Sequence, residues 1–222
     1  MKFLIFLVVA IASHAQSLHY SINWPSGLSL GEATLVSDHQ NPGKAGDLWV
    51  FDLDLDASVP GFAIRDHEHA SASPDFCSFE LDKSSLRGRR KGEEKITFDQ
   101  QKNTITRETL NGGGKSDISV PPCAKDALTF LQFARQELAQ GRLVPQQPVA
   151  FGSMYQVRFE YTGQQTIRTG EHQVDADRIL ASIKGSSSDL TVEIFFARDA
   201  ARTPLLAKVP VSLGTFTVEL IR

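Results

Sequence analysis

The sequence predicts a mainly β fold: a curved antiparallel sheet forming a barrel or half-barrel, with one amphipathic helix at about 123–140 packed against it. Three observations predict it. Short runs that alternate apolar and polar residues recur along nearly the whole chain, set apart by Gly, Pro, Asn and Asp turns. One stretch, Pro121 to Gly141, breaks that pattern with apolar residues spaced three and four apart. A lone helix midway through an antiparallel sheet usually covers the sheet's open face.

In chain order, Met1-Lys2 is followed by the apolar run Phe3 to Ala12 and by the small residues Ser13 and Ala15. This is the pattern of a secretory signal over residues 1–15, and it implies a periplasmic or secreted protein. The run is too short to span a bilayer, no Cys follows it to carry a lipid, and no later segment is apolar enough for a transmembrane segment. Residues 16–222 read as a single β-rich domain, because no repeat or Pro/Gly/Ser-rich linker divides them. The overall composition, 41% hydrophobic and 22% charged, is ordinary for such a domain.

Tyr20, Ile22 and Trp24 alternate before the turn Pro25-Ser26-Gly27. Leu28, Leu30, Ala33 and Leu35 continue around Gly31, where a glycine inside a strand signals a bulge or a close backbone approach. After Asn41-Pro42-Gly43 comes the clearest strand. Trp49, Phe51, Leu53 and Leu55 line one face and Asp52, Asp54 and Asp56 the other, as in a sheet with one wet side. Val59-Pro60-Gly61 turns, Phe62 and Ile64 begin the next strand, and Cys77, Phe79 and Leu81 form another. Ser84 to Lys95 is the expected tip of a long hairpin. Ile96 and Phe98 pair with Ile105, and Asn111-Gly112-Gly113-Gly114 leads on to Ile118 and Val120.

The helix follows. Ala124, Ala127, Leu128, Leu131, Arg135 and Leu138 share one face, with Pro121-Pro122 marking the entry and Gly141 the left-handed close. Beyond it, alternation returns at Val149 and Phe151, at Tyr155 to Tyr161, at Ile179 to Ile183, at Leu190 to Phe196, at Val209 and Val211, and at Phe216 to Leu220. About a dozen strands at regular spacing favour a barrel, half-barrel or sandwich.

The net charge of −3 argues against nucleic acid as a partner, since phosphate binding needs a basic surface. No Gly-x-Ser-x-Gly, His-Glu-x-x-His or Ser-x-x-Lys motif occurs, and no cofactor is implied. Asp66-His67-Glu68-His69 is the most chemical run. On a strand, His67 and His69 would point the same way, as paired imidazole ligands do, with a third ligand from His39 or His172; a metal-dependent hydrolase would then follow. The run leads into Ala70-Ser71-Ala72-Ser73-Pro74, however, which is loop composition, so a solvated loop is expected there. Asp52, Asp54 and Asp56 lack the loop geometry of a calcium site. The cluster Arg87, Arg89, Arg90, Lys91 and Lys95, partly balanced by Glu93 and Glu94, reads as a solvated hairpin tip, with an anionic surface as the alternative partner. Arg135, on the apolar stripe, either snorkels to solvent or is buried with a carboxylate, for which Asp177 and Asp199 are the candidates.

Cys77 and Cys123 are the two cysteines. In an oxidising compartment a pair reads as one disulfide, with two buried free thiols or a redox pair as alternatives. The bond would close a loop of about 47 residues, worth about 4 kcal/mol in the chain-entropy model. It would also staple the helix entrance to the strand near Phe76 and Phe79.

The stripe Leu128, Leu131, Leu138 is expected to face an inward set of Trp49, Phe51, Phe159, Tyr161 and Phe196. A curved sheet of about a dozen strands has more concave area than one helix covers. The remainder would form an apolar groove for a lipid or an extended peptide, with Leu131, Arg135, Trp49 and Phe51 as ligand-binding residues. The alternative is an interior filled by side chains.

The second half of the chain resembles a known family. Asp126-Ala127-Leu128-Thr129-Phe130-Leu131 with Arg135 and Gly141, then Ala176-Asp177-Arg178-Ile179, Phe196-Ala197-Arg198-Asp199, Arg202-Thr203-Pro204-Leu205 and Gly214 through Leu220, are similar to the bacterial "domain of unknown function 3108" family. The resemblance implies an exported, β-rich protein and brings no catalytic residues; the cysteine pair resembles a feature of one subgroup. By analogy of fold alone, a half-barrel with a helix over its concave face is similar to periplasmic carriers of lipoproteins or lipids. The expected function is therefore that of a non-enzymatic binding or envelope-assembly factor, with a lipid, a peptide or an envelope protein as partner.

Overall fold

The computed structural model describes residues 15–59, 61–170, 172–186, 189–211 and 214–221. The expected signal segment lies outside them except for Ala15, as does Pro60 of the Val59–Gly61 turn. The elements are β1 (Gln16–Asn23), β2 (Ser29–Gln40), β3 (Leu48–Val59), β4 (Phe62–Ala72), β5 (Ser78–Arg87), β6 (Arg90–Asp99), β7 (Thr104–Thr109), β8 (Lys115–Ser119), β9 (Lys125–Asp126), α1 (Ala127–Ala139), β10 (Gln147–Phe151), β11 (Ser153–Thr169), β12 (His172–Lys184), β13 (Asp189–Ala197), β14 (Pro204–Val211) and β15 (Gly214–Leu220).

All the strands belong to one sheet in the order β8-β7-β6-β5-β4-β3-β2-β1-β15-β14-β13-β12-β11-β10-β9. Neighbours run antiparallel except β9, which joins β10 in parallel. Two meanders, β1–β8 and β10–β15, thus meet where β1 pairs with β15, Tyr20 opposite Leu220 and Ile22 opposite Val218. Laid flat, 15 strands at the usual spacing would span about 70 Å. Yet β9, at one edge, returns to the start of β5 in the other meander, where the Ser78 N–H donates to the Ala124 carbonyl at 3.1 Å. The sheet is therefore strongly curved. It remains open, with β8 and β9 as its two edges. Gly31 lies opposite Ala57, beside the bulge at Ile22/Asn23, and a Cβ on it would come within 2.0 Å of the Asp56 carbonyl oxygen.

The helix begins later than the proline pair suggests. Asp126, buried and extended, is its N-cap: Oδ1 accepts the N–H groups of Leu128 and Thr129 at 2.8 and 2.9 Å, and Oδ2 accepts the hydroxyls of Ser78 and Thr129 at 2.5 and 2.6 Å. These bonds satisfy helix donors that would otherwise lack partners. Gly141, at φ +74°, ends the helix as expected; its N–H meets the Leu138 carbonyl at 3.0 Å and that of Arg142 meets Glu137 at 2.9 Å.

The helix serves both meanders. Ala124 and Leu128 pack into a cluster with Phe51, Ala70, Ala72, Leu81 and Ile96. Phe130, Ala134 and Leu138 pack into another with Val157, Phe159, Ile179, Ala181 and Phe196. A small third cluster, Ile167, Ala176, Phe195, Ala197 and Leu205, is centred on a phenylalanine that points away from the helix side. The polar stretch Ser84–Lys95 is a hairpin, as expected, but paired down to Arg87 opposite Arg90 rather than loose.

Candidate functional site

Between α1 and β10–β13 lies a cavity of about 240 Å³. Ala127, Phe130 and Leu131 form its helical wall, and Phe151, Tyr155 and Ile183 are among the strand residues facing them. The register explains the wall. Val149 lies opposite Tyr155 and Val157 opposite Ile183, so alternate apolar residues of neighbouring strands share the face that looks at the helix. Phe130 meets Phe159 edge-on, with ring centroids 5.4 Å apart. Phe151, half exposed, stands at the mouth.

Leu131 is the one residue of the expected ligand set in that wall. Phe51 is core, 1% exposed. Trp49 is stacked on His39 and lies near Phe51 and Phe76, with centroids 4.3, 5.9 and 5.5 Å away. With Arg135 it lines a different, polar cavity of about 320 Å³. Arg135 is buried, but the expected carboxylate is not its partner. Asp177 binds Arg202 at 2.6 Å and Asp199 accepts from the N–H and hydroxyl of Thr203, while Arg135 bonds to carbonyl oxygens. Burial pushes its pKa down, against the favourable fields of Tyr20 and Asp199. Tyr161, expected inward, is exposed beside Leu138 and Leu143 near the helix end. Phe151, Tyr155 and Ile183 were visible in the sequence only as strand residues; their proximity depends on pairing register, which alternation does not reveal.

The run Asp66–His69 is strand, not loop. Ala70 and Ala72 are fully buried because they sit beneath Ala124 and Leu128, where only small side chains let the helix approach. His67 and His69 do share a face, with Nδ1 2.7 Å from Asp54 Oδ1 and 2.6 Å from Asp52 Oδ1 on β3. No group of three or more metal-ligating side chains converges among the described residues.

The opposite face of the same strands is more unusual. Phe51, Ala70, Leu81 and Ile96 lie in one cross-strand row, and two residues along, on the same face, lie Leu53, Glu68, Lys83 and Glu94. Glu68, 2% exposed, binds Lys83; Arg107 binds Glu94; Arg87 binds Asp66. Glu68 Oε2, Asp66 Oδ1 and Arg107 Nε are buried without a hydrogen-bond partner among the described residues. The Lys83 ammonium also sits 4.9 Å from the Phe151 ring centroid, so this ionic ladder adjoins the mouth of the apolar cavity.

The meanders are pinned where β9 returns to β5. Cys77 and Cys123 form a disulfide with Cα atoms 4.5 Å apart. Gln100 Nε2 donates to the carbonyls of Ser78 and Ala124 at 2.6 and 3.2 Å. Burial pushes the Asp126 carboxyl up, opposed by the hydroxyl and N–H groups around it. Lys125, 6% exposed, places Nζ 3.1 Å from the Cys123 carbonyl oxygen and 4.7 Å over the Phe133 ring; burial pushes its pKa down.

A curved antiparallel sheet, left open and bearing one helix over an apolar cavity, defines a β-barrel-like protein of the half-open kind. The chain belongs to the family of proteins of unknown function DUF3108, whose model matches residues 18–221. Among solved structures it is similar to a β-barrel-like protein of the domain of unknown function DUF1849 from Brucella abortus, with a TM-score of 0.63 and 6% identity over 97% of this chain and 98% of that one. At that identity the likeness is one of fold. No curated protein matches the chain. No helix among the described residues is long and apolar enough to cross a membrane.

Proposed function

We propose that this protein is an exported, non-enzymatic binding protein whose helix–sheet cavity takes an acyl chain. The observation that carries the reading is the cavity of about 240 Å³ between Leu131 and the strand side chains. It falls below the roughly 300–1,000 Å³ of a drug-sized site, so it suits one apolar segment, such as the end of an acyl chain. An extended peptide would bring backbone N–H and C=O groups that need partners, and the apolar wall offers only the Tyr155 hydroxyl among the side chains named above. Export is supported by the Met1–Ala15 pattern and by the disulfide, both of which fit an oxidising, extracytoplasmic compartment. The acyl chain would then belong to an envelope lipid or to the lipid of an envelope protein.

Titrating a fluorescent fatty-acyl probe into delipidated protein of residues 16–222 tests this. Saturable micromolar binding, weakened at least about tenfold in Leu131→Trp, is expected. If the parent protein binds no probe and Leu131→Trp merely loses stability as an overpacked core does, the reading fails.

A further inference from the structure

Arg135 is a buried cation that no carboxylate pairs with among the described residues. The residue is 2% exposed. Its Nε donates to the carbonyls of Ala201 and Arg202 at 3.0 and 3.3 Å, Nη1 to Gln132 Oε1 at 2.9 Å and Nη2 to Gln16 Oε1 at 2.6 Å. All of these acceptors are uncharged. Among the described residues no carboxylate pairs with the guanidinium, since Asp177 is engaged by Arg202 and Arg198, and Asp199 by Thr203. A guanidinium carries five N–H donors and keeps its charge. The contacts above use one on each nitrogen, so that among the described residues one N–H on Nη1 and one on Nη2 have no acceptor.

Arg135 lines the polar cavity of about 320 Å³, whose wall also includes Gln132, Gln136, His39 and Trp49. His39 is held by Asp47 at 2.8 Å. A guanidinium taken out of water gains most from an oxyanion, whose paired oxygens match its fork. A neutral donor would satisfy the carbonyls of Ala201 and Arg202 without placing an unpaired charge beside a cavity.

We propose that this cavity is an oxyanion-binding site, in which a phosphate or carboxylate group seats against Arg135 and beside the Gln132 and Gln136 amides. None of its lining residues is shared with the apolar cavity, so the proposal stands independently of the acyl-chain reading. The oxyanion is either a free ion or the head of an amphiphile, and the two are separable by experiment.

The test uses residues 16–222 carrying Trp24→Phe, which leaves Trp49, in the cavity wall, as the one indole. Inorganic phosphate is expected to change its fluorescence saturably, where chloride at equal ionic strength does not. In Gln132→Glu the new carboxylate would stand at the 2.9 Å contact and take the place of the ion. This variant should bind phosphate at least about tenfold more weakly, the worth of one charge-assisted contact, and should unfold at a higher temperature than its parent in phosphate-free buffer. Because it adds a partner rather than removing one, loss of folding does not confound it. Dodecyl phosphate binding about tenfold tighter than inorganic phosphate would identify an amphiphile head as the source; equal affinity would identify the free ion. Absence of a saturable response to both, or phosphate affinity in Gln132→Glu within about twofold of the parent, overturns the site.

Discussion

Row by row, the two meanders turn different chemistry toward the helix. In the C-terminal one, Phe159, Ala181 and Val192 lie in register, flanked by Val157, Ile183 and Leu190. The ion pairs of Arg178 and Lys208 with Glu193 are on the opposite face, while at the helix's C-terminal end Asp177, in the row of Phe196, pairs with Arg202 beside Leu138. In the N-terminal one, the row of Phe51, Ala70, Leu81 and Ile96 is apolar, but the next on the same face is Leu53, Glu68, Lys83 and Glu94. The reason lies in lengths. A helix of 13 residues is about 20 Å long, against a sheet whose strands would span about 70 Å if flat. It covers the C-terminal concave face and the near rows of the N-terminal one. The row beyond the helix carries charges, paired across strands, with Glu68 buried on a face that alternation alone would fill with apolar residues. An apolar cavity remains where cover is sufficient, and an ionic ladder stands where it is not.

The largest expected effect comes from unpinning the meanders. Replacing Cys77 and Cys123 by Ala, or reducing the bond, should cost about 4 kcal/mol in denaturant unfolding, and thiol titration of the unreduced, denatured protein should find no reactive thiol. Two reactive thiols per chain would contradict the bond.

Next is the contrast itself. Removing Glu68 alone, as Glu68→Met, should cost about 3 kcal/mol because Lys83 is left half-buried and unpaired, and adding Lys83→Met should recover most of that loss. In the other meander, Ile179→Ala, at a fully buried position, should cost about 3 kcal/mol through the cavity it leaves, and no second truncation should recover it. If Glu68→Met is neutral, the ladder is an ordinary surface feature and the contrast fails.

The smallest effect is one of pH. Burial lowers the Lys125 pKa below its ordinary 10.5. The unfolded chain then holds more protons than the folded one between the lowered value and 10.5, so stability should rise with pH as that window is entered. Denaturant midpoints at pH 7 and pH 9.5 should show the rise in the parent relative to Lys125→Met. An unchanged difference between the two proteins would mean that Lys125 keeps its ordinary pKa.

Much of this architecture is legible in the sequence. The alternation of Trp49 to Asp56, the Gly31 close approach, the Gly141 cap and the cysteine pair all predict what the structure holds. The misreadings have identifiable causes. Ala70-Ser71-Ala72 looks like loop by composition, yet its small residues are what helix contact requires. The helix start was obscured by Pro121-Pro122, although Asp126 ahead of an apolar run is an N-cap signal in its own right. Two partners of Arg135 are the main-chain carbonyls of residues 201 and 202, which no side-chain pattern can announce, and a third, Gln16, is 119 residues away in sequence. The ladder and the cavity wall depend on which residue faces which across strands, and register is set by the hairpin turns rather than by any one strand.

Bromine-labelled dodecanoate, soaked into crystals of residues 16–222, shows where an acyl chain sits, because anomalous scattering locates its bromine. Ordered bromine is expected between Leu131 and Ile183, in the apolar cavity of the C-terminal meander. Bromine against the Glu68–Lys83 row, or an empty cavity in a protein that binds the same chain in solution, would contradict that placement.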